Sequence, residues 1–324
     1  MRTAPPLRAL FPTTLIALIA ALAAAPAHAA WSTSPYVNLA VALTPSGATS
    51  PSILSDGVGG AFVAWQDGRD QATTGNDIYL AHILKAGVMD PAWPVNGLPL
   101  CTATGDQNSP VMVADNSGGV IVVWQDGRAA TTDIYAARVN SSGTLAAGWT
   151  TVNGKQIGAA TPAGLARDEN AAVACSDGAG GVIVAWDLIY TSSIDEDIYA
   201  VRILANGTVA PGWQSLGTVI NTSSGHQLAP CIATDGASGA IVAYFDSFLG
   251  PFAQIRYRTV TASGAVTIPA SDAVAASSSG QSFPVGTSDG QGGMYVAWFD
   301  QRVSPAGFAI GQFTPLAPVT GSFY

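Results

Sequence analysis

The sequence has few cations, few cysteines and few histidines. Lysine and arginine together number 12 of 324 residues, against 21 aspartates and glutamates, which gives a formal net charge of −9. So acidic a chain is a poor partner for phosphate backbones, which argues against a nucleic-acid ligand. Cys101, Cys175 and Cys231 form no CxxC pair, and histidines number three. We therefore expect small buried thiols rather than a metal or redox centre, with one disulfide left open.

Long apolar runs are missing beyond the N-terminus. Arg2 and Arg8 precede an apolar run over 15–25, and the small-x-small sequence 27–29 follows it. This pattern is typical of a secretory signal peptide cleaved directly after it. Because the run is shorter than the ~20 residues that cross a bilayer, we expect a mature chain, 30–324, without a membrane span. Its expected location is secreted, periplasmic or on a bacterial cell surface. Loss of the two arginines takes the formal charge to −11.

Charged residues are also scarce, at 10% of the chain, while glycine occurs 36 times. That composition favours a secreted all-β protein with many tight turns. The sequence contains no HExxH zinc motif and no phosphate-binding loop, so it indicates neither a zinc protease nor a nucleotide-binding enzyme.

One pattern organises the mature chain. Its first copy, 55–79, consists of an Asp-Gly-x-Gly-Gly turn, a short apolar run, Trp-x-Asp-x-Arg, a polar gap and Asp-Ile-Tyr. Copies follow at intervals of 59, 62, 58 and 54 residues, and the last two are weaker. The aligned turn aspartates are Asp56, Asp115, Asp177, Asp235 and Asp289. Repeats of this length that carry several short strands are typical of a β-propeller.

Each copy has a local physical explanation. Asp and Gly tolerate positive φ and let two strands reverse tightly. We expect an ion pair between Arg69 and Asp77 across the following loop, which if exposed would contribute about 0–1 kcal/mol. The tryptophans that end the second strands are expected to pack between blades. Exposure is left open for Trp93, Trp149 and Trp213, which lie near the outer strands.

These repeats predict an all-β, five-bladed β-propeller with four antiparallel strands per blade. A single domain, 30–324, contains blade repeats that start near residues 51, 110, 171, 230 and 284. The last repeat has no match to a fourth strand, and the C-terminal tail, 314–324, supplies none. The segment 30–50 parallels the outer strand of the first repeat, so we expect it to close the last blade and remove exposed strand edges.

The string Ser-Asp-Gly, apolar strand, Trp-x-Asp-x-Arg and Asp-Ile-Tyr resembles the repeats of TolB-type propellers and of large secreted bacterial propeller proteins. The likeness covers nearly all of the mature chain. The turn 56–59 is also similar, more weakly, to the Asp-box of sialidases, which is structural in that family. The resemblance implies a propeller fold. It does not imply the partner binding of TolB, because the periods are longer and the inferred blades number five rather than six.

Polar loops are expected at one end of the propeller. In a four-stranded meander, the loop between the second and third strands and the connection to the next blade emerge on the same side. We call this side the polar loop face, and the opposite side, which carries the Asp-Gly turns, the turn face. Loops on a rigid scaffold carry function, so the polar loop face is the candidate ligand surface. Its predicted ligand-binding residues are Asp67, Arg69, Asp106, Gln107, Asp126, Arg128, Arg167, His226, Gln227, Gln281, Asp300 and Arg302.

The recurring members of that set have a plainer interpretation. An Asp that returns blade after blade more often caps its own turn than performs catalysis, and its neighbouring Arg would brace the loop. The third repeat departs from the pattern, with Trp186-Asp187-Leu188 and the acidic cluster 195–197. That cluster leaves Ca²⁺ open as a ligand, but it lacks EF-hand spacing and a solvated loop is favoured. No cofactor and no metal site are predicted.

The favoured function is a non-catalytic binding module whose ligand is a glycan or a protein. A glycoside hydrolase or lyase is the first alternative, with carboxylates about 5–9 Å apart on either side of the scissile bond. The carboxylates nominated for that chemistry are Asp168, Glu169, Asp187 and Asp246. A structural propeller segment of a larger surface protein is the second alternative.

Overall fold

The computed structural model describes residues 36–44, 47–158, 167–190, 195–247, 252–269, 272–274, 279–302 and 307–313. Within these ranges the chain is all-β, with strands in five antiparallel sheets. The described part contains no helix long and apolar enough to cross a membrane. The predicted signal peptide, 1–29, and the tail, 314–324, lie outside the described residues.

The sheets follow one another along the chain. The first contains β1 Ala48–Ser55, β2 Ala61–Asp67, β3 Asp77–Leu84, β4 Val88–Met89 and β5 Leu98–Cys101. The second contains β6 Gln107–Ala114, β7 Val120–Asp126, β8 Asp133–Val139 and β9 Lys155–Gly158. The third contains β10 Arg167–Ser176, β11 Val182–Tyr190, β12 Glu196–Ile203 and β13 Thr218–Asn221. The fourth contains β14 Gln227–Thr234, β15 Ala240–Asp246, β16 Gln254–Val260 and β17 Val266–Thr267. The fifth contains β18 Gln281–Ser288, β19 Met294–Asp300 and β20 Gly307–Phe313.

In every sheet the first three strands form an antiparallel meander, as the repeat predicts. The first sheet has five strands because both β4 and β5 pair with β3. The second, third and fourth sheets have four strands each, and the described residues supply three to the fifth.

Asp56 shows why the Asp-Gly turn recurs. Its Oδ1 accepts hydrogen bonds from the backbone N–H groups of Val58 and Gly60, both at 2.8 Å. A Cβ on Gly60 would lie 2.2 Å from the carbonyl oxygen of Ile83, so the turn excludes a side chain there. Equivalent aspartates cap the other four turns, namely Asp115, Asp177, Asp235 and Asp289.

The sheets pack face to face in chain order. The first strand of each sheet contacts the first strand of the next, from β1 to β18. These strands are therefore innermost, and the arrangement is that of a β-propeller. Phe62 and Leu80 of the first sheet pack against Trp124 of the second. Burial of an apolar side chain of this size contributes about 1.5–3 kcal/mol. Because such clusters combine side chains of two neighbouring sheets, the core lies between the sheets.

Each innermost strand carries a β-bulge at the same position. The bulge residue has a positive φ, which residues other than glycine rarely adopt. The five bulge residues are Ser50, Ser109, Ala171, Ala229 and Phe283, with φ between 48° and 54°. Ser109 and Ala171 are exposed although their sheets are covered on both faces. The bulge residue therefore points away from the cores between sheets. It faces the space lined by the innermost strands, β1, β6, β10, β14 and β18, which we call the central space.

A second set of tryptophans joins neighbouring sheets at the turn face. Each indole Nε1 donates to a backbone carbonyl of the following sheet, at 3.0 to 3.1 Å, as buried indoles require. The pairs are Trp93–Ser141, Trp149–Ala205 and Trp213–Ala262. All three rings are buried, so the exposure left open by the sequence does not occur.

The three cysteines are free thiols. Cys101 and Cys231 are buried and Cys175 is half-buried. Burial raises the pKa of each thiol to about 12, so the thiolate form is suppressed. The expectation of small buried thiols holds for Cys101 and Cys231.

The outer faces of the first and fifth sheets are partly apolar and exposed. Ile53 is 73% exposed on the first sheet, and Val285 and Ile310 are 65% and 64% exposed on the fifth. At the equivalent positions between sheets, Met112 and Leu80 are buried. The two outer faces thus have the composition of interior faces.

Candidate functional site

The Trp-x-Asp-x-Arg motif builds a brace at the end of the second strand. In the first sheet, Asp67 accepts hydrogen bonds from Trp65 Nε1 at 2.7 Å and from Arg69 Nε at 2.9 Å. Arg69 Nη2 also donates to the carbonyl oxygen of Asn96 at 2.9 Å. Its guanidinium carbon lies 3.7 Å from the centre of the Tyr79 ring, within cation–π range. The motif therefore ties three strands of one sheet together.

The same brace occurs twice more, as Asp126 with Arg128 and as Asp300 with Arg302. The expected pairing of Arg69 with Asp77 is wrong. Arg69 pairs with Asp67 at 2.7 Å, because the turn between them brings the guanidinium back onto the carboxylate two residues earlier. The charged groups of these six predicted ligand residues have internal partners, as the plainer interpretation of a recurring Asp anticipates.

Hydrogen bonds decide the charge of these bracing aspartates. Burial acts to raise the pKa of Asp67 and of Asp300. The hydrogen bonds from the arginine, the indole and the backbone outweigh burial and lower both pKa values. The two carboxylates are thus held in their charged form, which stabilises the loop.

The polar loop face brings the two predicted sets of loops into contact. The backbone N–H of Asn76, between β2 and β3, donates to Asp106 Oδ1 at 2.9 Å. One sheet further on, the backbone N–H of Thr132 donates to Asp168 Oδ1 at the same distance. Asp106 and Asp168 therefore fasten one sheet to the connection that leads into the next.

A buried residue follows each of these loop positions. Glu169 Oε2 accepts from the backbone N–H of Ile134 at 3.1 Å, and Gln281 Oε1 accepts from that of Ile255 at 3.1 Å. Gln107 Nε2 instead donates to carbonyl oxygens of its own loop. The predicted ligand residues Gln107 and Gln281, and the nominated acid Glu169, thus point into the protein.

Asp246, another nominated acid, is held inside the fourth sheet. Its Oδ2 lies 3.4 Å from Arg256 Nε and accepts from Asn221 Nδ2 at 3.3 Å. Gln227 Nε2 donates to its Oδ1 at 3.5 Å. Asp246 and Gln227 are both buried, so they form one internal polar group.

The third sheet lacks the brace. Leu188 stands where the first sheet has its bracing aspartate, and Trp186 Nε1 has no hydrogen-bond partner among the described residues. The Tyr190 hydroxyl donates to Asp197 Oδ2. The buried guanidinium of Arg167 lies 4.2 Å from the centre of the Tyr190 ring. A guanidinium, a phenol and a carboxyl group therefore meet at this edge of the third sheet.

Burial sets the protonation of this group. Burial raises the pKa of Asp197, and the hydrogen bond from Tyr190 only partly opposes the rise. Burial and the neighbouring carboxylate also raise the pKa of Tyr190, which keeps its hydroxyl proton. Asp197 Oδ1 is buried and has no hydrogen-bond partner in the described part of the chain. It remains able to accept a hydrogen bond.

A second acidic group of the third sheet faces the fourth sheet. Asp187 Oδ2 accepts from the backbone N–H of Ala229 at 3.2 Å, while its Oδ1 is buried without a partner in the described ranges. Burial, with the charge of Glu196 added, raises the pKa of Asp187 to about 6. Glu196 Oε2 lies 3.1 Å from Nδ1 of His226, whose side chain is 42% exposed. The group therefore opens to solvent at the polar loop face.

The acidic cluster 195–197 does not converge on one point. Glu196 and Asp197 are consecutive on β12 and point to opposite faces of the sheet. Asp195 Oδ1 accepts from the backbone N–H of Gly225 at 2.8 Å. Among the described residues, no three His, Cys, Asp or Glu side chains are grouped so that they could hold a metal ion.

We define the third-sheet site as Arg167, Asp187, Tyr190, Glu196, Asp197 and His226. The sequence predicts Arg167, Asp187 and His226 as candidate site residues and leaves Glu196 and Asp197 open as Ca²⁺ ligands, but it gives Tyr190 no role. Their signal was the break in the repeat, since Tyr190 follows the missing aspartate and Glu196 lies in the extra acidic cluster. Contacts across strands, which the sequence does not show, join Arg167, Tyr190 and Asp197 on one face of the third sheet. On the other face they join Glu196 and His226, beside Asp187.

Comparison with known proteins gives distant structural similarity. No protein-family model matches the sequence, and no curated protein matches it. The resemblance to TolB-type repeats and to the sialidase Asp-box therefore finds no support in these comparisons.

Three solved structures are similar over most of the chain. An endo-arabinase from Bacteroides thetaiotaomicron VPI-5482 has 14% identity and a TM-score of 0.42, covering 90% of this chain and 100% of that one. An alpha-L-arabinanase from Penicillium chrysogenum, complexed with arabinobiose, has 10% identity and a TM-score of 0.48, covering 88% and 84%. An alpha-L-arabinofuranosidase from Lactobacillus brevis has 10% identity and a TM-score of 0.41, covering 88% and 90%.

Proposed function

We propose that this chain is a secreted β-propeller that binds a glycan at the third-sheet site. The observation that carries the proposal is the break in the repeat. Three other sheets use their Asp and Arg side chains to brace the strand end, and the third sheet has a different set of polar groups at that place. Two of its buried carboxyl oxygens, Asp187 Oδ1 and Asp197 Oδ1, have no partner among the described residues.

Unpartnered buried oxygens favour a ligand that supplies hydrogen bonds. Leaving one such group unsatisfied costs about 1–3 kcal/mol, and native proteins seldom do so without a functional reason. Asp77 Oδ1, at the position of the first sheet equivalent to Asp197, is also unpartnered among the described residues, so Asp187 Oδ1 is the oxygen that distinguishes the third sheet. Sugar hydroxyls donate and accept hydrogen bonds at close spacing. Asp197 on one face of the third sheet and Asp187 on the other each offer an acceptor. Few polar groups within apolar surface are typical of small-ligand sites.

The charge of the protein narrows the class of glycan. A formal charge of −9 repels polyanions. A neutral polysaccharide therefore fits better than a uronic acid polymer or a nucleic acid. A protein ligand is the alternative, and the binding experiment must distinguish it from a glycan ligand.

The test uses the mature chain, 30–324, with soluble arabinan, xylan, glucan and chitin oligosaccharides in isothermal titration calorimetry, with Ca²⁺ and with EDTA. We expect saturable binding of one neutral class, independent of Ca²⁺. Asp197→Asn should weaken it at least fivefold. Asp70→Asn, at an exposed carboxylate on the first-sheet loop, should not. No binding to any oligosaccharide would refute the proposal and turn the search to a protein partner.

Glycoside hydrolysis is the second candidate, and Asp187 favours it. A general acid needs a pKa close to the working pH, and the pKa of Asp187 is raised to about 6. Glu196 supplies a second carboxyl group nearby, which a two-carboxylate mechanism requires. Glu169 and Asp246 are less suited, because both are buried with internal hydrogen-bond partners and, unlike Asp187, have no buried carboxyl oxygen without a partner among the described residues. Asp168 accepts a hydrogen bond from the backbone N–H of Thr132.

Release of reducing ends from the bound oligosaccharide distinguishes the two candidates. Hydrolysis predicts release that Asp187→Asn and Glu196→Gln each abolish while binding persists. Binding without release supports the non-catalytic module. A lyase would also release reducing ends, together with unsaturated ends that absorb ultraviolet light, and its β-elimination requires a uronic acid, so testing it needs a uronic acid oligosaccharide beside the neutral ones.

We also propose that the five sheets close into a ring and that the N-terminal segment completes the fifth sheet. The backbone N–H of Leu43 donates to Asn96 Oδ1 at 3.1 Å, just as that of Thr102 donates to Asn153 Oδ1 at 3.1 Å. Thr102 directly follows β5, an outer strand of the first sheet. Residues 39–42 therefore correspond to the outer strand of a sheet that precedes the first one.

The apolar outer faces of the first and fifth sheets support the same closure. Val285→Glu would put a charge into a closed interface and should destabilise the chain by several kcal/mol, as burial of an unpaired charge does. In an open ring it should have little effect. Val58→Glu, at a 75% exposed valine on the turn face, is the matched control in chemical denaturation.

A further inference from the structure

The innermost strand of the fifth sheet carries an exposed aromatic ring. Phe283 occupies the bulge position, with a φ of 54°, and its side chain is 74% exposed. At the same position the other four sheets have only serine or alanine. Phe283 is thus the large side chain among five equivalent positions.

Two costs coincide at Phe283. A bulky residue with positive φ is an outlier that costs on the order of 1–3 kcal/mol and persists where the surrounding structure enforces it. An exposed ring also forgoes the burial that would stabilise it by about 1.5–3 kcal/mol. Serine, present at the first and second bulges, would avoid the exposed apolar surface.

The exposure of Phe283 follows from its position and not from the uncovered face of the fifth sheet. Of the three bulge residues in sheets covered on both faces, Ser109 and Ala171 are also exposed and Ala229 is half-buried. The bulge residue therefore faces the central space of the propeller. A large apolar side chain there contacts whatever occupies that space.

The backbone also brings a second aromatic residue to this part of the polar loop face. The carbonyl oxygen of Ala253 accepts a hydrogen bond from the backbone N–H of Gln281 at 2.9 Å. Phe252, directly before Ala253, is 42% exposed. Two exposed aromatic residues, Phe252 and Phe283, thus lie close to the start of β18, where the bulge occurs.

We infer that Phe283 is the surface on which a sugar ring of the ligand stacks, at the wall of the central space. This inference rests on the proposed glycan function and deepens it. The face of an aromatic ring packs against the C–H face of a sugar ring, which buries apolar surface on both partners. The third-sheet site would bind hydroxyl groups of the glycan. Phe283 would pack against the apolar face of a sugar ring in the same glycan.

The test compares Phe283→Ser and Phe283→Trp with the wild type, using the oligosaccharide panel described above. Loss of one buried phenyl contact should weaken binding about tenfold in the serine variant. The tryptophan variant should bind at least as tightly as the wild type. Val58→Ser removes an equally exposed apolar side chain on the turn face and should leave the affinity unchanged.

Denaturation midpoints separate a binding role from a structural one. A stacking surface predicts that Phe283→Ser is at least as stable as the wild type, because serine occupies the same bulge elsewhere. Equal affinity of Phe283→Ser and the wild type would overturn the inference, and so would a loss of stability that accompanies the loss of binding. If the wild type binds no oligosaccharide, the glycan function itself fails, and this inference with it.

Discussion

Asp187→Asn should stabilise the protein at neutral pH. The pKa of Asp187 is raised from 3.8 to about 6, first by burial and then by Glu196. Its ionised form is therefore less favourable in the folded state than in the unfolded chain. A shift of about two pKa units corresponds to about 3 kcal/mol. Asparagine removes the charge and keeps an oxygen for the backbone N–H of Ala229.

The pH dependence of the free energy of unfolding tests this prediction more specifically. Between pH 4 and pH 6 Asp187 binds more protons in the folded protein than in the unfolded chain, so its contribution to the free energy of unfolding falls as pH rises. The contribution of Asp187 is fully present below pH 3.8 and is lost through its folded pKa near 6. Asp77 and Asp133, whose pKa values burial also raises to about 6, act in the same direction.

Urea denaturation of the wild type and the variant at pH 4 and pH 7 measures the effect. We expect Asp187→Asn to be more stable by about 2–3 kcal/mol at pH 7 and nearly equal at pH 4. Asp70→Asn, which neutralises an exposed carboxylate, should change neither value. A variant less stable than the wild type at pH 7, or a gap that is the same at both pH values, would refute the assignment of a buried, destabilised carboxylate.

Three further predictions concern the scaffold and are checked by chemical denaturation. Gly60→Ala puts a Cβ 2.2 Å from a carbonyl oxygen of β3 and should cost about 2–3 kcal/mol; Gly47→Ala, with nothing within 4 Å, should cost little. Trp149→Phe removes the indole donor to the next sheet at 3.0 Å and should cost about 1–2 kcal/mol; an unchanged midpoint would contradict its role between sheets. His82 bridges two carboxylates at 2.8 and 3.1 Å, so His82→Leu should destabilise by about 1–3 kcal/mol. His82→Arg should be tolerated, because the second and third sheets have arginine there, and equal losses in both variants would count against the bridge.

Much of the scaffold is predictable because its signals are local. The Asp-Gly turns, the short β-branched runs and the period near 59 residues identify hairpins and their repetition. The four strands predicted for each blade are all present in the second sheet. Local sequence chemistry determines turns and strand patterns, so these features follow from residue types alone.

The partners of charged side chains are less predictable. Arg69 bonds Asp67 rather than Asp77 because the turn geometry decides between two nearby carboxylates. Trp93 is buried because a carbonyl of the next sheet receives its indole N–H, a contact 48 residues away in sequence. Burial of this kind depends on how the sheets stack, which a single sequence encodes only indirectly.

The third-sheet site is only partly predictable from the sequence. The sequence shows that the repeat breaks at Trp186-Asp187-Leu188, and a broken repeat marks a place where a different constraint acts. The sequence does not show that Tyr190 reaches Asp197 or that Glu196 reaches His226, since those contacts follow from strand register and from packing against the fourth sheet.

Amide hydrogen exchange with and without the bound oligosaccharide locates the ligand on the propeller. We expect protection at the polar loop face, in segments 186–190, 195–199 and 225–229, and at the bulge of the fifth sheet, 281–285. The Asp-Gly turns of the opposite face, such as 56–60 and 115–119, should exchange unchanged. Protection confined to the turn face, or spread evenly over all five sheets, would contradict a site built where the third sheet departs from the repeat.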